Sequence, residues 1–274
     1  MSIPLGQQGL LLVLATLCMY CASDEPSKSW QKTSEIQLGE FNPLGIAVLD
    51  SLLWISDSDH NQIGLWTKDG TQVDVFTDFD RPMHIASDGT SIFVPEYGSD
   101  TIRIWNRSGH QGNLPISDSL DAPAGVDVTD TGKAIADFYN HRILYSDGSS
   151  WQSFGTEGNA PGEFYYPTDV HLGDDKIYVA DAYNNRVQIL SLDGTVISVF
   201  GREHDINAAT GIYVSDTNIF VTDFENDRVL VFDKDGILIQ AIDHIEKPTD
   251  AVLVDELLYV ASYAGKKLMV FNLR

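Results

Sequence analysis

Residues 167–190 read PTDVHLGDDKIYVADAYNNRVQIL. Short runs of Val, Ile and Tyr are separated by Gly, Asp and Asn, so the stretch spells a strand, a turn, a second strand, a polar corner and a third strand. Two later stretches say nearly the same thing: TGIYVSDTNIFVTDFENDRVLVF at 210–232 and PTDAVLVDELLYVASYAGKKLMVF at 248–271. Repetition of this kind decides a fold before any single residue does.

Six copies align on the apolar pair that precedes an acidic residue: LWISDSDHNQIGLW from Leu53, IFVPEYGSDTIRIW from Ile92, AIADFYNHRILY from Ala134, IYVADAYNNRVQIL from Ile177, IFVTDFENDRVLVF from Ile219 and LYVASYAGKKLMVF from Leu258. The acidic position holds Asp57, Glu96, Asp137, Asp181 and Asp223, with Ser262 in the last copy. Five residues further on stand Gln62, Thr101, Arg142, Arg186, Arg228 and Lys267. Each copy opens on a short segment: PLGIAV at Pro43, PMHIAS at Pro82, PAGVDV at Pro123, PTDVHL at Pro167, ATGIYV at Ala209 and PTDAVL at Pro248.

The period is about 40 residues and holds four strand-like runs, with no segment of helical spacing. The expected fold is all-β: a six-bladed β-propeller of four-stranded antiparallel blades, which leaves only short edges. The sixth copy ends at its third strand, LMVFNLR, while an unmatched run, SEIQLGEF, precedes the first. The N-terminal strand is therefore expected to pair with the last blade and close the ring.

With 17 basic and 40 acidic residues the net charge is −23. A phosphate-tracking surface needs clustered Lys and Arg, so nucleic acid is excluded as a partner. The first segment has an apolar run from Leu10 to Tyr20 followed by small residues. That run is roughly half of the ~20 residues a spanning helix requires, and it reads as an export signal. Residues 1–23 are expected to be the signal, 24–33 a tether and 34–274 the propeller. Both cysteines, Cys18 and Cys21, lie in the signal, which leaves the domain without a thiol. In the alternative, Cys21 is an acylated lipoprotein cysteine and the tether holds the domain at a membrane. Either way the domain is expected to be secreted, periplasmic or surface-attached, and a monomer.

The P-x-G-[IV] opening, the strand ending in V-A-D, the N-[NH]-R corner of YVADAYNNRVQIL and IADFYNHRILY, and the loop GTEGNAPGEFYYP at Gly155 resemble the NHL-repeat family. The resemblance runs from about Ser34 to Arg274. It implies a six-bladed propeller and leaves function open, because this fold carries enzymes, scaffolds and receptors alike.

Residues needed in every blade read as structural: Asp57, Asp137, Asp181 and Asp223 accept bonds in their corners, and Arg142, Arg186 and Arg228 brace the same loops. Departures from the repeat say more. Gly45, Gly125 and Gly211 keep the family's glycine, whereas His84, Asp169 and Asp250 replace it in the second, fourth and sixth copies. If the first strands line the axis, these three converge near the channel mouth, where they suit a divalent metal or a shared proton. The bland reading leaves them solvated at the rim. A second feature is aromatic: Tyr97, Phe138, Tyr139, Tyr183, Phe224 and Tyr263 lie within two residues of the acidic position.

No serine elbow, phosphate-binding glycine loop or paired-cysteine motif is present. The histidines that directly follow the opening proline in the amidating lyases are replaced by Leu44, Met83, Ala124, Thr168 and Thr249, with Thr210 in the copy that lacks proline. The chain is therefore read first as an exported binding or scaffold module, with an enzymatic role left open. It would engage a protein, peptide or glycan through an acidic, aromatic face, with His84, Asp169, Asp250, Tyr97, Tyr139, Tyr183 and Tyr263 as candidate ligand-binding residues and no cofactor required. The alternative is a metal-assisted lyase or hydrolase at the channel mouth.

Overall fold

A computed structural model describes residues 28–173 and 175–274. The expected export signal and both cysteines lie outside them. Six four-stranded antiparallel sheets are present among the described residues. Blade 1 runs from Ile46 to Phe76, blade 2 from Ala86 to Asn113, blade 3 from Pro123 to Phe154, blade 4 from Pro167 to Phe200 and blade 5 from Ala209 to Asp243. Blade 6 takes three strands from Pro248 to Leu273 and its outermost strand from Trp30–Gln37.

Apolar residues occupy consecutive positions of the second strands because both faces of each sheet are covered. In blade 4, Ile177 and Val179 pack toward blade 3, while Tyr178 and Ala180 pack toward blade 5. The same division recurs around the ring, so the core consists of one hydrophobic cluster at each blade interface. Burial on both sides removes the polar alternation that a half-exposed strand would show.

Polar corners lock these sheets in register. Each buried acidic side chain accepts the backbone N–H of a residue in the loop that crosses from the previous blade: Asn42 to Asp57 at 3.2 Å, Asp80 to Glu96 at 3.3 Å, Asp121 to Asp137 at 2.8 Å, Tyr165 to Asp181 at 2.8 Å and Asn207 to Asp223 at 2.7 Å. Arg142, Arg186 and Arg228 each donate Nε to the carboxylate at 2.7 Å. Further donors reach carbonyls of the same crossing loop, Ser119 for Arg142, Asn159, Ala160 and Glu163 for Arg186, and His204 for Arg228, and Arg142 Nη1 donates to the Asp118 carboxylate at 2.7 Å. Blade 2 has Thr101 at this position and recovers the ion pair from Arg103 at 2.9 Å.

One residue earlier the chain turns left-handed, at Asn61, Asp100, His141, Asn185 and Asp227, with φ between 51° and 56°. Asn and Asp tolerate that conformation. Each of these side chains also accepts a backbone N–H from the next crossing loop, from Arg81, Ala122, Tyr166, Ala208 and Lys247 at 2.7–3.1 Å. The corner motif thus bonds a blade to the loop before it and to the loop after it.

The ring closes as the sequence implies, with a different starting point. The closing strand begins at Trp30, not Ser34, and pairs from Trp30 with Leu273 to Gln37 with Lys267. The last four residues of the expected tether are therefore part of the propeller. Trp30 is the reason: its indole is buried against Phe220, with ring centroids 5.4 Å apart, and its backbone exchanges two hydrogen bonds with the Gln240 amide.

Replacing Trp30 by Ala is expected to cost about 3 kcal/mol, the usual loss for a buried aromatic ring, read as a lower urea midpoint. Asp181→Ala strands the guanidinium of Arg186, which is 2% exposed. It should cost roughly 3–5 kcal/mol in the same measurement, as for any broken buried ion pair.

Candidate functional site

The innermost strands carry a register shift just after their opening residue, between Pro123 and Gly125, Pro167 and Asp169, Ala209 and Ile212, and Pro248 and Ala251. Such bulges re-aim a side chain. Here they turn the position two residues after the opening toward the axis. In blade 2 the inner strand is reduced to Ala86–Ser87 and His84 precedes it in a bridge to Gly125. His84, Asp169 and Asp250 meet at the axis, with ligand atoms within 4.8 Å of one another. His84 Nδ1 lies 3.8 Å from Asp169 Oδ2 and 3.9 Å from Asp250 Oδ2, too far for a direct hydrogen bond.

The intervening glycines explain the alternation. A Cβ on Gly45 would stand 2.8 Å from His84 Cα, one on Gly125 2.7 Å from Asp169 Cα, and one on Gly211 2.3 Å from the Thr249 carbonyl oxygen. Those contacts are with backbone, which cannot swing aside. Six inner strands converge so closely that only every other one carries a side chain at this level.

All three residues are buried. His84, Asp169 and Asp250 are 4%, 5% and 6% exposed, which departs from the bland reading of a wet rim. Each carboxylate is held by two backbone N–H groups, Asp169 by Val170 and Ile212 at 2.9 Å and Asp250 by Ala251 and Ile46 at 2.7 Å. His84 Nδ1 has no hydrogen-bond partner. Burial pushes the Asp169 carboxyl up to about 7, with the imidazole of His84 opposing and the Asp250 charge adding to the rise. Burial disfavours the His84 imidazolium, but the two carboxylates outweigh it and raise the group above its ordinary value.

Below this layer the channel widens into a cavity of about 230 Å³, lined by Asp169 and Asp250 at one end and by Ser87, Asp127, His171 and Tyr213 toward the other. The latter four are partly exposed, so the cavity opens on the face that carries the hairpin turns, here the far face. Asp127 Oδ2 lies 3.4 Å from His171 Nδ1 and accepts the Leu172 N–H at 2.7 Å.

The near face carries the corners and crossing loops, and it gathers an aromatic patch. Phe138 contacts Tyr97, Tyr139, Tyr166 and Tyr183 with ring centroids 4.8–6.3 Å apart. Tyr165 joins through Tyr166 at 4.6 Å and stacks on His141 at 5.5 Å. Tyr139 and Tyr183 are 47% and 62% exposed. The guanidinium of Arg81 lies 4.3 Å above the Tyr97 ring. Burial raises the Tyr97 hydroxyl, and the neighbouring Tyr139 adds to it. Beside the patch, Phe138, Tyr183, Asn185, Asn207, Thr210 and Phe224 border a pocket of about 520 Å³.

Tyr263 does not join the patch. It faces Phe224 at 6.3 Å and donates its hydroxyl to Asp59 at 2.5 Å, which pushes that hydroxyl up to about 12. Tyr165 and Tyr166 belong to the patch but lie outside the corner motif. The residues before the opening position are Asn42, Arg81, Ala122, Tyr166, Ala208 and Lys247, and the single aromatic among them was the available signal. Acidity is not confined to the near face either. On the far face Asp69, Asp88, Asp147, Asp193 and Asp233 cap the backbone of their own turns.

The family model of the NHL repeat matches residues 164–190. With six four-stranded blades around one axis, the chain is a six-bladed β-propeller that carries an NHL repeat at its fourth blade. No curated protein sequence matches it. Among solved structures, it is similar to a gluconolactonase from Xanthomonas campestris, with TM-score 0.70 and 16% identity over 90% of this chain and 100% of that one. It is also similar to a catalytically inactive virginiamycin B lyase from Staphylococcus aureus with quinupristin, at TM-score 0.62 and 16% identity over 90% and 100% of the two chains. A streptogramin B lyase aligns at TM-score 0.62 and 14% identity, covering 90% and 98%. At these identities the likeness is one of fold.

The raised Asp169 and His84 values make folding bind protons. The folded state then holds more protons than the unfolded one between the ordinary aspartate value and about 7, so this part of the stability is present in acid and lost as pH rises through that window. With EDTA present, the melting temperature should fall more steeply over this range in the parent protein than in Asp169→Asn, as followed by circular dichroism.

Proposed function

We propose that the protein is an exported binding module that recognises a basic segment of a partner polypeptide on its near-face aromatic patch. The observation that carries this reading is the continuous tyrosine-rich patch around Phe138, with Tyr139 and Tyr183 turned to solvent. Rings of this kind attract cations through their faces. Two cations of the chain itself already sit on near-face rings, Arg81 over Tyr97 at 4.3 Å and Lys247 over Phe224 at 5.2 Å. A net charge of −23 favours the approach of basic partners and opposes anionic ones.

Export is supported by the apolar run Leu10 to Tyr20 and the small residues after it. The second reading is a metal-assisted lyase or hydrolase. It draws support from solved neighbours titled as lyases and a gluconolactonase and from the His84, Asp169 and Asp250 cluster. Exposures of 4–6% at that cluster weigh against its touching a ligand on the near face, and the binding reading is preferred for that reason.

Titration with arginine-rich and lysine-rich oligopeptides, followed by calorimetry, tests the proposal. Binding should weaken as salt rises, and Tyr183→Ala should weaken it on the order of tenfold, the equivalent of about one exposed cation–π contact with its packing. Salt-insensitive binding of neutral oligosaccharides with no response to basic peptides would replace the peptide by a glycan.

A further inference from the structure

We infer that His84, Asp169 and Asp250 hold a divalent transition-metal ion on the propeller axis, reached from the far face, that ties together blades 2, 4 and 6. This inference is independent of the near-face reading, since it uses other residues and the opposite end of the channel.

The three donors come from alternate blades and lie within 4.8 Å of one another. The ligand is indicated by a polar atom that lacks a partner. His84 Nδ1 is buried, makes no hydrogen bond and is aimed between two carboxylate oxygens. A buried ring nitrogen left in this way costs free energy, and an ion between the three groups removes that cost. Each carboxylate already receives two backbone N–H bonds that fix its plane, as outer partners orient metal ligands elsewhere.

Charge and chemistry select the ion. Two carboxylates and a neutral imidazole around a divalent cation sum to zero, which a buried site demands. An imidazole nitrogen with two oxygens suits Zn²⁺, Mn²⁺ or Co²⁺, whereas Ca²⁺ and Mg²⁺ prefer all-oxygen shells. Donors around a shared ion with bonds of ~2.1 Å stand roughly 3.4 Å apart at tetrahedral angles. The observed 3.8 and 3.9 Å from His84 to the two carboxylates, within a cluster spanning up to 4.8 Å, require the three side chains to draw together on the ion.

Access follows from the cavity. It is lined by Asp169 and Asp250, opens past Ser87, Asp127, His171 and Tyr213, and provides room for water to complete the coordination shell. Toward the near face, hydroxyl groups bond across neighbouring blades, Thr168 to the Ala209 carbonyl at 3.1 Å, Thr210 to Pro248 at 3.2 Å and Thr249 to Pro43 at 2.9 Å. These bonds tie blades 4, 5, 6 and 1 together on the near-face side of the cluster.

The test begins with chelated full-length protein titrated with Zn²⁺, Mn²⁺, Co²⁺ and Ca²⁺. One equivalent of a transition ion is expected to bind and raise the melting midpoint by several degrees, with Ca²⁺ much weaker. Pulsed electron paramagnetic resonance of the Mn²⁺-loaded parent protein should show a directly bound imidazole nitrogen. That coupling, and the bound equivalent, should disappear in His84→Asn, whose fold is checked by near-ultraviolet circular dichroism. Ser87→Trp, which fills the far-face shaft, should slow metal uptake, while Tyr183→Ala on the near face leaves it unchanged. Absence of stoichiometric binding to the parent protein would overturn the inference. So would preference for Ca²⁺, a bound ion without a nitrogen ligand, or uptake blocked by near-face and not by far-face substitutions.

Discussion

Convergence of six inner strands on one axis is the constraint from which the other features follow. Backbones this close leave no room for a Cβ at every blade, as the contacts of 2.3–2.8 Å at Gly45, Gly125 and Gly211 show. The chain resolves the crowding by alternation, glycine in the odd blades and a side chain in the even ones. What stands at the even positions is then forced into a shared, dry space, and the choice of one imidazole and two carboxylates gives that space a chemistry. A ring of six identical repeats would have had no such centre.

A second layer of order lies in the corners. Each carboxylate bonds backward to the preceding loop and each left-handed residue bonds forward to the next one. The blades are thus coupled in series by polar contacts at the rim, in addition to the apolar clusters between their faces. Aromatic side chains on these corners inherit a rigid mount, so Tyr97, Tyr139 and Tyr183 form a patch with little freedom left to lose. The cost of ordering a long exposed side chain on binding is correspondingly reduced.

Most of the architecture was legible in the sequence, because the same corner chemistry is required six times and leaves the same spacing each time. Closure was legible too, though its start at Trp30 was not, since Trp30 precedes any residue that matches a repeat. The meeting of His84, Asp169 and Asp250 could be read from their equivalent positions. Their burial could not, because spacing along a chain does not say how tightly six strands pack around an axis. Among the aromatics, corner position was a fair guide for Tyr97, Tyr139 and Tyr183. It failed for Tyr263, which Asp59 draws aside, and for Tyr165 and Tyr166, which enter from a crossing loop.

The pairing that closes blade 6 also fixes how the molecule would respond to tension. Ser29 and Arg274 exchange backbone hydrogen bonds of 2.7 and 3.0 Å, so the two strands of this antiparallel pair have their outer ends together, on the face opposite the tyrosines. Force applied through both ends meets the cross-strand bonds one at a time, like the teeth of a zip, and does not load them together in shear. A ring closed by one strand pairing along its full length is, for this reason, mechanically soft at its seam.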